Sequence, residues 1–460
     1  MTDVTRREFI GGMSMAAACA AFGSAAAEGP QPAVLPSKSH LEWADQEIGM
    51  FFHFDIPVFK PRWRWRTFKN LPGPELYNPA KLDIEQWMAA AEAIGAKYVV
   101  FVAKHCSGFL QWQSDLYPYG LKQAPWRGGK GDLVREFTDA ARRHGLKPGL
   151  YASTTANSFL GADNPGRVKA KGWLGAPSPE TQKRYAKICE GMAEELWSRY
   201  GELFEIWFDG GALAPSAGGP DLIPILEKHQ PDAILFGGPK DAKNLIRWVG
   251  NERGVAPYPC WSTNGRPTQD DGTKEFRYPG HPDGKVWCPG ECDVPLKPGC
   301  WFSTDRGRYW TPDELMTMYL HSVGRNCNLL LNCAPMPDGS VAEEDMKRYA
   351  AFGKAIRARY AHPLGRTEGD GATIELPLAK DAGPAGQVVL AERLQYGERV
   401  REFGIEAFDG GKWTKVYSGS CIGHKHIACF PPVHAARLRL SVGKAAGRPA
   451  IREFSAWRVS

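Results

Sequence analysis

Four consecutive strand-like runs in this chain end in polar side chains. His53 closes Met50-Phe51-Phe52-His53-Phe54, Lys104-His105 follows the run 98–103, Tyr151 closes Gly149-Leu150-Tyr151, and Asp209 follows the run 204–208. A lone histidine after a strand is ordinarily a satisfied structural group. Several polar tips in register point to chemistry, because the ends of parallel barrel strands converge on one face. Asp209 precedes Gly210-Gly211, which lets the backbone turn sharply and leaves the carboxylate with little bulk around it, a good setting for a nucleophile. The competing reading makes Asp209 a cap on the following helix.

Cleaving a glycosidic bond takes a second carboxyl, since one group attacks or stabilises the sugar cation while the other protonates the leaving oxygen. Glu252, in Arg247-Trp248-Val249-Gly250-Asn251-Glu252-Arg253-Gly254, is the leading candidate, and Glu291, in Pro289-Gly290-Glu291-Cys292-Asp293-Val294, is the second. Either loop could carry its carboxylate to the roughly 5 Å separation of a retaining mechanism, and for each the alternative is a salt bridge to a nearby Arg or Lys. Other chemistries lack their signatures. There is no H-E-x-x-H, P-loop, G-x-G-x-x-G or paired C-x-x-C, so no metal, nucleotide or redox cofactor is expected.

The elements needed to hold these residues are legible as repeating units. Helical spacing over 82–94 stops at Gly95 before a strand at 98–103; a helix over 132–144 stops at Gly145 before a strand at 147–153. Helices over about 179–200 and 222–229 lead into strands at 204–208 and 233–236. Repeated strand and helix units over some 300 residues predict an α/β fold with a (β/α)8-type catalytic barrel over 28–362. After about His362 the helical pattern gives way to short alternating strands such as 387–391 and 436–441, which predict a C-terminal β-sandwich over 363–460.

At 460 residues and 43% hydrophobic content the chain can bury a large core. Its net charge of +6 is spread through mixed-sign sequence with no basic run, which argues against nucleic acid as a partner. Residues 1–27, with Thr5-Arg6-Arg7-Glu8-Phe9-Ile10 and a weakly apolar stretch ending at Ser24-Ala25-Ala26-Ala27, read as a twin-arginine export signal. The apolar run is shorter than the roughly 20 residues of a membrane span, so no span is expected and the chain is expected in the periplasm or secreted. Eleven cysteines allow a few disulfides in an oxidising compartment, with Cys288/Cys292 and Cys421/Cys429 as the pairs to check.

From about residue 40 onward the ordered motifs resemble the α-L-fucosidases of glycoside hydrolase family 29. They include Met50–Phe54, Ala103-Lys104-His105-Cys106-Ser107-Gly108-Phe109, Lys130-Gly131-Asp132-Leu133-Val134, Trp207-Phe208-Asp209-Gly210, the Gly-Asn-Glu at 250–252, Gly290–Val294 and Asn328-Leu329-Leu330-Leu331-Asn332. They look most like the branch preferring α-1,3 and α-1,4 fucosyl linkages. The resemblance implies a cofactor-free retaining hydrolase of fucosylated oligosaccharides or glycoconjugates, with Asp209 as nucleophile and Glu252 as acid/base. It also implies that His53, His105 and Tyr151 hold sugar hydroxyls, that Trp207 offers an aromatic wall, and that Trp63, Trp248 and Glu291 bind substrate. Two departures bear on the sugar. Cys106 stands where the family usually has a second histidine, and Arg62-Trp63 or Arg64-Trp65 stands where it usually has Glu-Trp.

Overall fold

The computed structural model describes residues 27–29, 32, 34–64, 67–265, 279–379 and 383–459. The export signal expected at 1–27 lies outside these residues except for Ala27, and Trp65 lies outside them too. Eight strands close a barrel: β1 (Ile48–Phe52), β2 (Tyr98–Lys104), β3 (Lys147–Ala152), β4 (Glu205–Trp207), β5 (Ile234–Phe236), β6 (Leu245–Trp248), β7 (Gly290–Pro295) and β8 (Cys327–Cys333). Every pairing around the ring is parallel, and β8 joins β1 to complete it. A parallel sheet must bury both faces, which is why these strands read as near-continuous apolar runs.

Helices α1 (Lys38–Ala44), α2 (Ile84–Ile94), α3 (Leu133–Arg143), α4 (Pro179–Arg199), α5 (Ile223–His229), α6 (Pro312–His321) and α7 (Glu343–Arg359) surround the ring. Their ends follow local chemistry. The Asp83 carboxylate accepts from the Glu85 and Gln86 amides to start α2, and Gly95, at φ 84°, ends it. Asp132, in the Lys-Gly-Asp-Leu-Val motif, accepts from the Arg135 amide and caps α3. Ser178 and Thr181 form a capping box on α4, with Pro179 at its first position. One departure from the regular repeat stands out: β5 reaches β6 through residues 237–244 with no helix between them.

Past α7 the chain enters two antiparallel sheets. The strands are β9 (Gly365–Asp370), β10 (Thr373–Pro377), β11 (Ala385–Glu392), β12 (Val400–Asp409), β13 (Lys412–Gly419), β14 (His426–Val433), β15 (Arg437–Ala446) and β16 (Ala450–Trp457). One sheet runs β10-β15-β12-β13, with Ala27–Gly29 added in parallel along the end of β15, and the other runs β9-β16-β11-β14. Strands such as β10 alternate exposed and buried positions, the period-two pattern of a sheet wet on one side. Between the sheets Leu376, Val388, Leu390, Ile405, Leu438, Leu440, Ile451 and Phe454 form an apolar core.

The sandwich is keyed to the barrel by polar groups. Buried Glu398 accepts from the Ser262 amide and, at 2.5 Å, from Asn326 Nδ2. The Tyr258 hydroxyl takes the Ser420 amide at 3.0 Å, and its ring stacks on His426 at 4.8 Å. These contacts hold the segment that follows β6 against the second domain. All ten described cysteines are free thiols, including both pairs singled out for a bridge. Cys429 accepts from Gln387 Nε2 at 3.1 Å, and Cys292 contacts Cys327.

Candidate active site

Strand alternation decides which side chains enter the barrel. On β4, Glu205 and Trp207 point inward and Ile206 outward, so Asp209, two residues beyond Trp207, stands at the mouth directly above them. The same two-residue step puts His53 above Phe51 on β1, Asp293 above Glu291 on β7 and Asn332 above Leu330 on β8, whereas a bulge between Val102 and Lys104 on β2 sets Lys104 in register with outward-facing Ala152 and turns His105 toward the mouth. The interior is therefore layered, with aromatic and apolar side chains enclosing the Glu205 and Glu291 carboxyls low in the barrel and further polar groups at the rim where the strands end. Gly49 makes room for this packing, because a Cβ there would lie 2.4 Å from the Tyr98 ring.

At the rim, the Tyr151 hydroxyl donates to Asp209 Oδ2 at 3.1 Å, and Thr155 donates to the Asp209 carbonyl at 2.8 Å. Gly210 and Gly211 take φ values of 70° and 83°, so the turn after Asp209 uses backbone conformations that side chains resist. Asp209 thus belongs to a loop and does not cap a helix. Lys104 is fully buried nearby and donates to the carbonyls of Ser153 and Ala156. Burial pulls its ammonium down to about 8, while Cys189, Cys106, Asp55 and Asp209 pull the other way.

His53 donates from Nδ1 to Asn332 Oδ1 at 2.7 Å, which leaves Nε2 as an acceptor. Burial lowers this imidazole to about 3 despite the Asn332 bond, so it is neutral at ordinary pH. His105 stacks on Tyr151 at 5.7 Å and 19°, and faces His53 edge-on at 6.0 Å. Burial first, then the charges of His53 and Lys104, push it well below the usual histidine range. Two neutral imidazoles beside a tyrosine suit hydroxyl groups, to which a neutral ring can both donate and accept.

The two carboxyl candidates have opposite surroundings. Glu252 is exposed on the loop after β6, where Trp301 Nε1 donates to its Oε2 at 2.9 Å. Trp301 also lies 4.8 Å from the His53 ring and accepts from Asn332 Nδ2 at 2.9 Å, which ties Glu252 to the rim. Glu291 is fully buried inside the barrel. Tyr98 Oη donates to its Oε1 at 2.7 Å and Trp207 Nε1 to its Oε2 at 2.9 Å, so neither oxygen is open to a substrate. The expected direct contact of Glu291 with sugar is corrected by this burial.

Trp207 also departs from expectation. Its ring is 5% exposed, with Phe236 stacked on it at 3.6 Å and 7° and Tyr151 at 5.9 Å and 23°. It is the buried middle of a row in which Tyr151, Trp207 and Phe236 stand in register on neighbouring strands, and not an open wall, because position 207 points inward one layer below Asp209. Trp248 is half-buried and donates to Asp293 Oδ1 at 2.7 Å. Trp63 sits on the loop after β1 with a buried indole N–H that has no hydrogen-bond partner among the described residues. No described ring contact joins Trp63 to the cluster.

Cys106, the departure from the family's histidine pair, is 4% exposed. Ser107 beside it donates to Asp55 Oδ2 at 2.7 Å, and an aspartate at 107 would set two carboxyls against each other. Burial raises Asp55 to about 7, against the bonds from Ser107 and the Ile56 amide and the charge of Lys104. Asn332, Trp301 and Asp293 were not singled out as site residues from the sequence. Asn332 carried a usable signal, lying four residues from Asn328 on an apolar strand and so on the same inward face. Asp293 carried a weaker one, two residues from Glu291. Trp301 enters through a loop after β7, and no periodicity marks it. Among the described residues no group of three or more His, Cys, Asp or Glu could hold a metal ion, and no helix is long and apolar enough to cross a membrane.

Comparison with known proteins places the chain in a family and matches its fold. A family model described as alpha-L-fucosidase matches residues 32–359. Alpha-L-fucosidase 1 of Arabidopsis thaliana is 30% identical over 91% of this chain and 86% of its own length. A solved structure from Bacteroides thetaiotaomicron VPI-5482 is 36% identical with a TM-score of 0.85, covering 94% of this chain and all of that one. The structure of a glycoside hydrolase 29 family member from an unknown rumen bacterium is 28% identical with a TM-score of 0.77, covering 94% of this chain and 79% of the other.

Proposed function

The chain belongs to the alpha-L-fucosidase family, and we propose that it is a retaining hydrolase releasing terminal α-L-fucose by double displacement. The observation that carries this reading is Asp209 at the tip of β4, held by the Tyr151 hydroxyl at 3.1 Å beside the neutral rings of His53 and His105. Asp209 attacks the anomeric carbon as the bond to the leaving oxygen breaks, giving a covalent fucosyl-enzyme. Glu252, exposed at the rim and oriented by Trp301, gives its proton to that oxygen. It then takes a proton from the water that attacks the same carbon and frees Asp209. Glu291 cannot exchange protons with substrate from inside the barrel, which favours Glu252 for this role. Tyr151 binds the nucleophile as an anion and lengthens its bond as the charge leaves Asp209. His53 and His105 take sugar hydroxyls, and each such bond rejects a sugar lacking the partner group more strongly than an apolar contact would.

The linkage is assigned to α-1,3 and α-1,4 fucosyl branches because the acid/base lies in the Gly-Asn-Glu motif at 250–252. Export through the twin-arginine route is assigned from Arg6-Arg7 and the following stretch; paired Arg→Lys changes at 6 and 7 should leave activity in the cytoplasm, and continued export would refute the assignment.

The chemical test uses an aryl α-L-fucoside with Glu252→Ala. Azide should restore turnover of this variant and yield α-L-fucosyl azide, since azide enters by the path of water. A variant as active as the native protein, or a β-configured azide product, would overturn the assignment. Cleavage of an aryl α-L-galactoside but no α-L-fucoside by the native protein would move the specificity to that sugar, with Cys106 as the first position to revert.

A further inference from the structure

Two carboxyls meet inside the barrel, one layer beneath the site. Glu205 on β4 and Glu291 on β7 are both fully buried. Glu291 receives the Tyr98 hydroxyl at 2.7 Å and the Trp207 indole N–H at 2.9 Å. Glu205 Oε2 receives the Trp43 indole N–H at 3.1 Å, whereas Glu205 Oε1 is buried with no donor among the described residues. Burial pushes both carboxyls up, Glu291 to about 7 and Glu205 well above its ordinary range, where the neighbouring Glu291 adds to the rise. Two adjacent anions in a buried, low-dielectric interior repel, and a single proton between them removes the repulsion. With two outside donors on Glu291 and one on Glu205, the charge settles on Glu291 and the proton on the unpartnered Glu205 Oε1. That proton is then a third donor to Glu291.

We propose that Glu291 is a positioning residue: its carboxylate, completed by the Glu205 proton, anchors the Trp207 indole from below and so fixes the ring on which Tyr151, the donor to Asp209, is stacked. Trp207 lies flat between Phe236 and Tyr151, so a tilt of its indole displaces the Tyr151 ring and lengthens the 3.1 Å bond to the nucleophile. This inference rests on the reading of Asp209 as nucleophile.

The test compares E291Q, E205Q, W207F and the double variant E291Q/W207F with the native protein on an aryl α-L-fucoside. A glutamine at 205 copies the protonated acid, since its amide still donates to Glu291 and its oxygen still accepts from Trp43. A glutamine at 291 turns an N–H toward one of three donors. E291Q should therefore lose about 10-fold more kcat than E205Q, with KM within about twofold of native. W207F should share that loss, and the double variant should be no worse than the poorer single variant, because both remove the same contact. Equal losses in E205Q and E291Q, an effect confined to KM, or multiplying losses in the double variant would overturn the proposal. An infrared difference spectrum of native protein minus E205Q should show one protonated-carboxyl stretch. This readout needs neither turnover nor folded E291Q, and absence of the band refutes the proton assignment. Native protein silent on every α-L-fucoside would instead defeat the fucosidase reading and leave the infrared result to decide the carboxyl pair.

Discussion

The barrel and the sandwich each enclose a buried interior, and the two are filled in opposite ways. Between the sheets of the sandwich lie Leu376, Leu390, Ile405, Leu440 and Phe454, side chains whose only contribution is packing and area removed from water. Inside the barrel lie Tyr98, Glu205 and Glu291, and above them His53, Tyr151 and Asp209. Each of these carries desolvation that only a specific partner offsets. The barrel can hold buried acids and a buried lysine because its outer layer, between strands and helices, is a continuous apolar cluster. The sandwich adds a second service, bracing the connection after β6 through Glu398, Asn326 and Tyr258, and Glu252 stands on that connection.

This contrast can be broken most sharply at its two poles. Asp209→Ala should lower kcat on an aryl α-L-fucoside by at least about 10⁴-fold, about 5.5 kcal/mol of barrier, with an unfolding midpoint close to that of the native protein. Residual activity near the native level would show that the rim carboxylate is not the nucleophile. Phe454→Ala should do the reverse. It should cost about 3–5 kcal/mol of stability in a denaturant titration, while kcat and KM of the folded protein stay near native, and a matching fall in kcat would mean that the two interiors are not separable. Tyr151→Phe removes one hydrogen bond to a charged group and keeps the ring on Trp207, so kcat should fall about 10–100-fold, for about 1.5–3 kcal/mol. No change would place Asp209 under the control of some other donor.

The smallest effect concerns pH and sharpens the comparison at the seam between domains. His426 is buried there, accepts from or donates to Tyr417 Oη at 2.9 Å, and is lowered by burial to about 3. Between about pH 3 and the ordinary histidine value of 6.5 the unfolded chain binds a proton that the folded chain does not. This group therefore stabilises the fold fully above pH 6.5, and the contribution is lost as pH falls toward 3. His53 behaves alike, whereas Asp55, raised to about 7, works in the opposite direction between 3.8 and 7. His426→Gln should flatten the acid side of the midpoint against pH profile, by on the order of 1 kcal/mol, with little effect on the pH profile of kcat. An unchanged acid slope would assign that loss to other groups.

Much of the barrel was legible because its signals are local. The helical spacing over 82–94 and 132–144, Gly95 and Gly145 as stops, and the apolar runs of β1 and β2 each depend on residues a few positions apart. The same holds for Asp209, where a strand, an acid and two glycines sit side by side. The missing helix between β5 and β6 was less so, since nothing in residues 237–244 marks the start of the next strand.

The sequence by itself determined the repeating unit, the strand tips and the identity of the polar groups on them, because period-two and helical spacing and turn chemistry act within one element. Only the tertiary structure decided between Glu252 and Glu291 as accessible acids, buried Trp207 between Tyr151 and Phe236 where a wall was expected, and brought Trp301 over His53. Those outcomes depend on which way a strand's inward face points relative to seven others, and on loops whose ends are fixed by distant partners, as Asn326 and Glu398 fix the segment after β6. Burial and hydrogen bonding across the barrel are properties of the closed ring, and no stretch of the chain contains them.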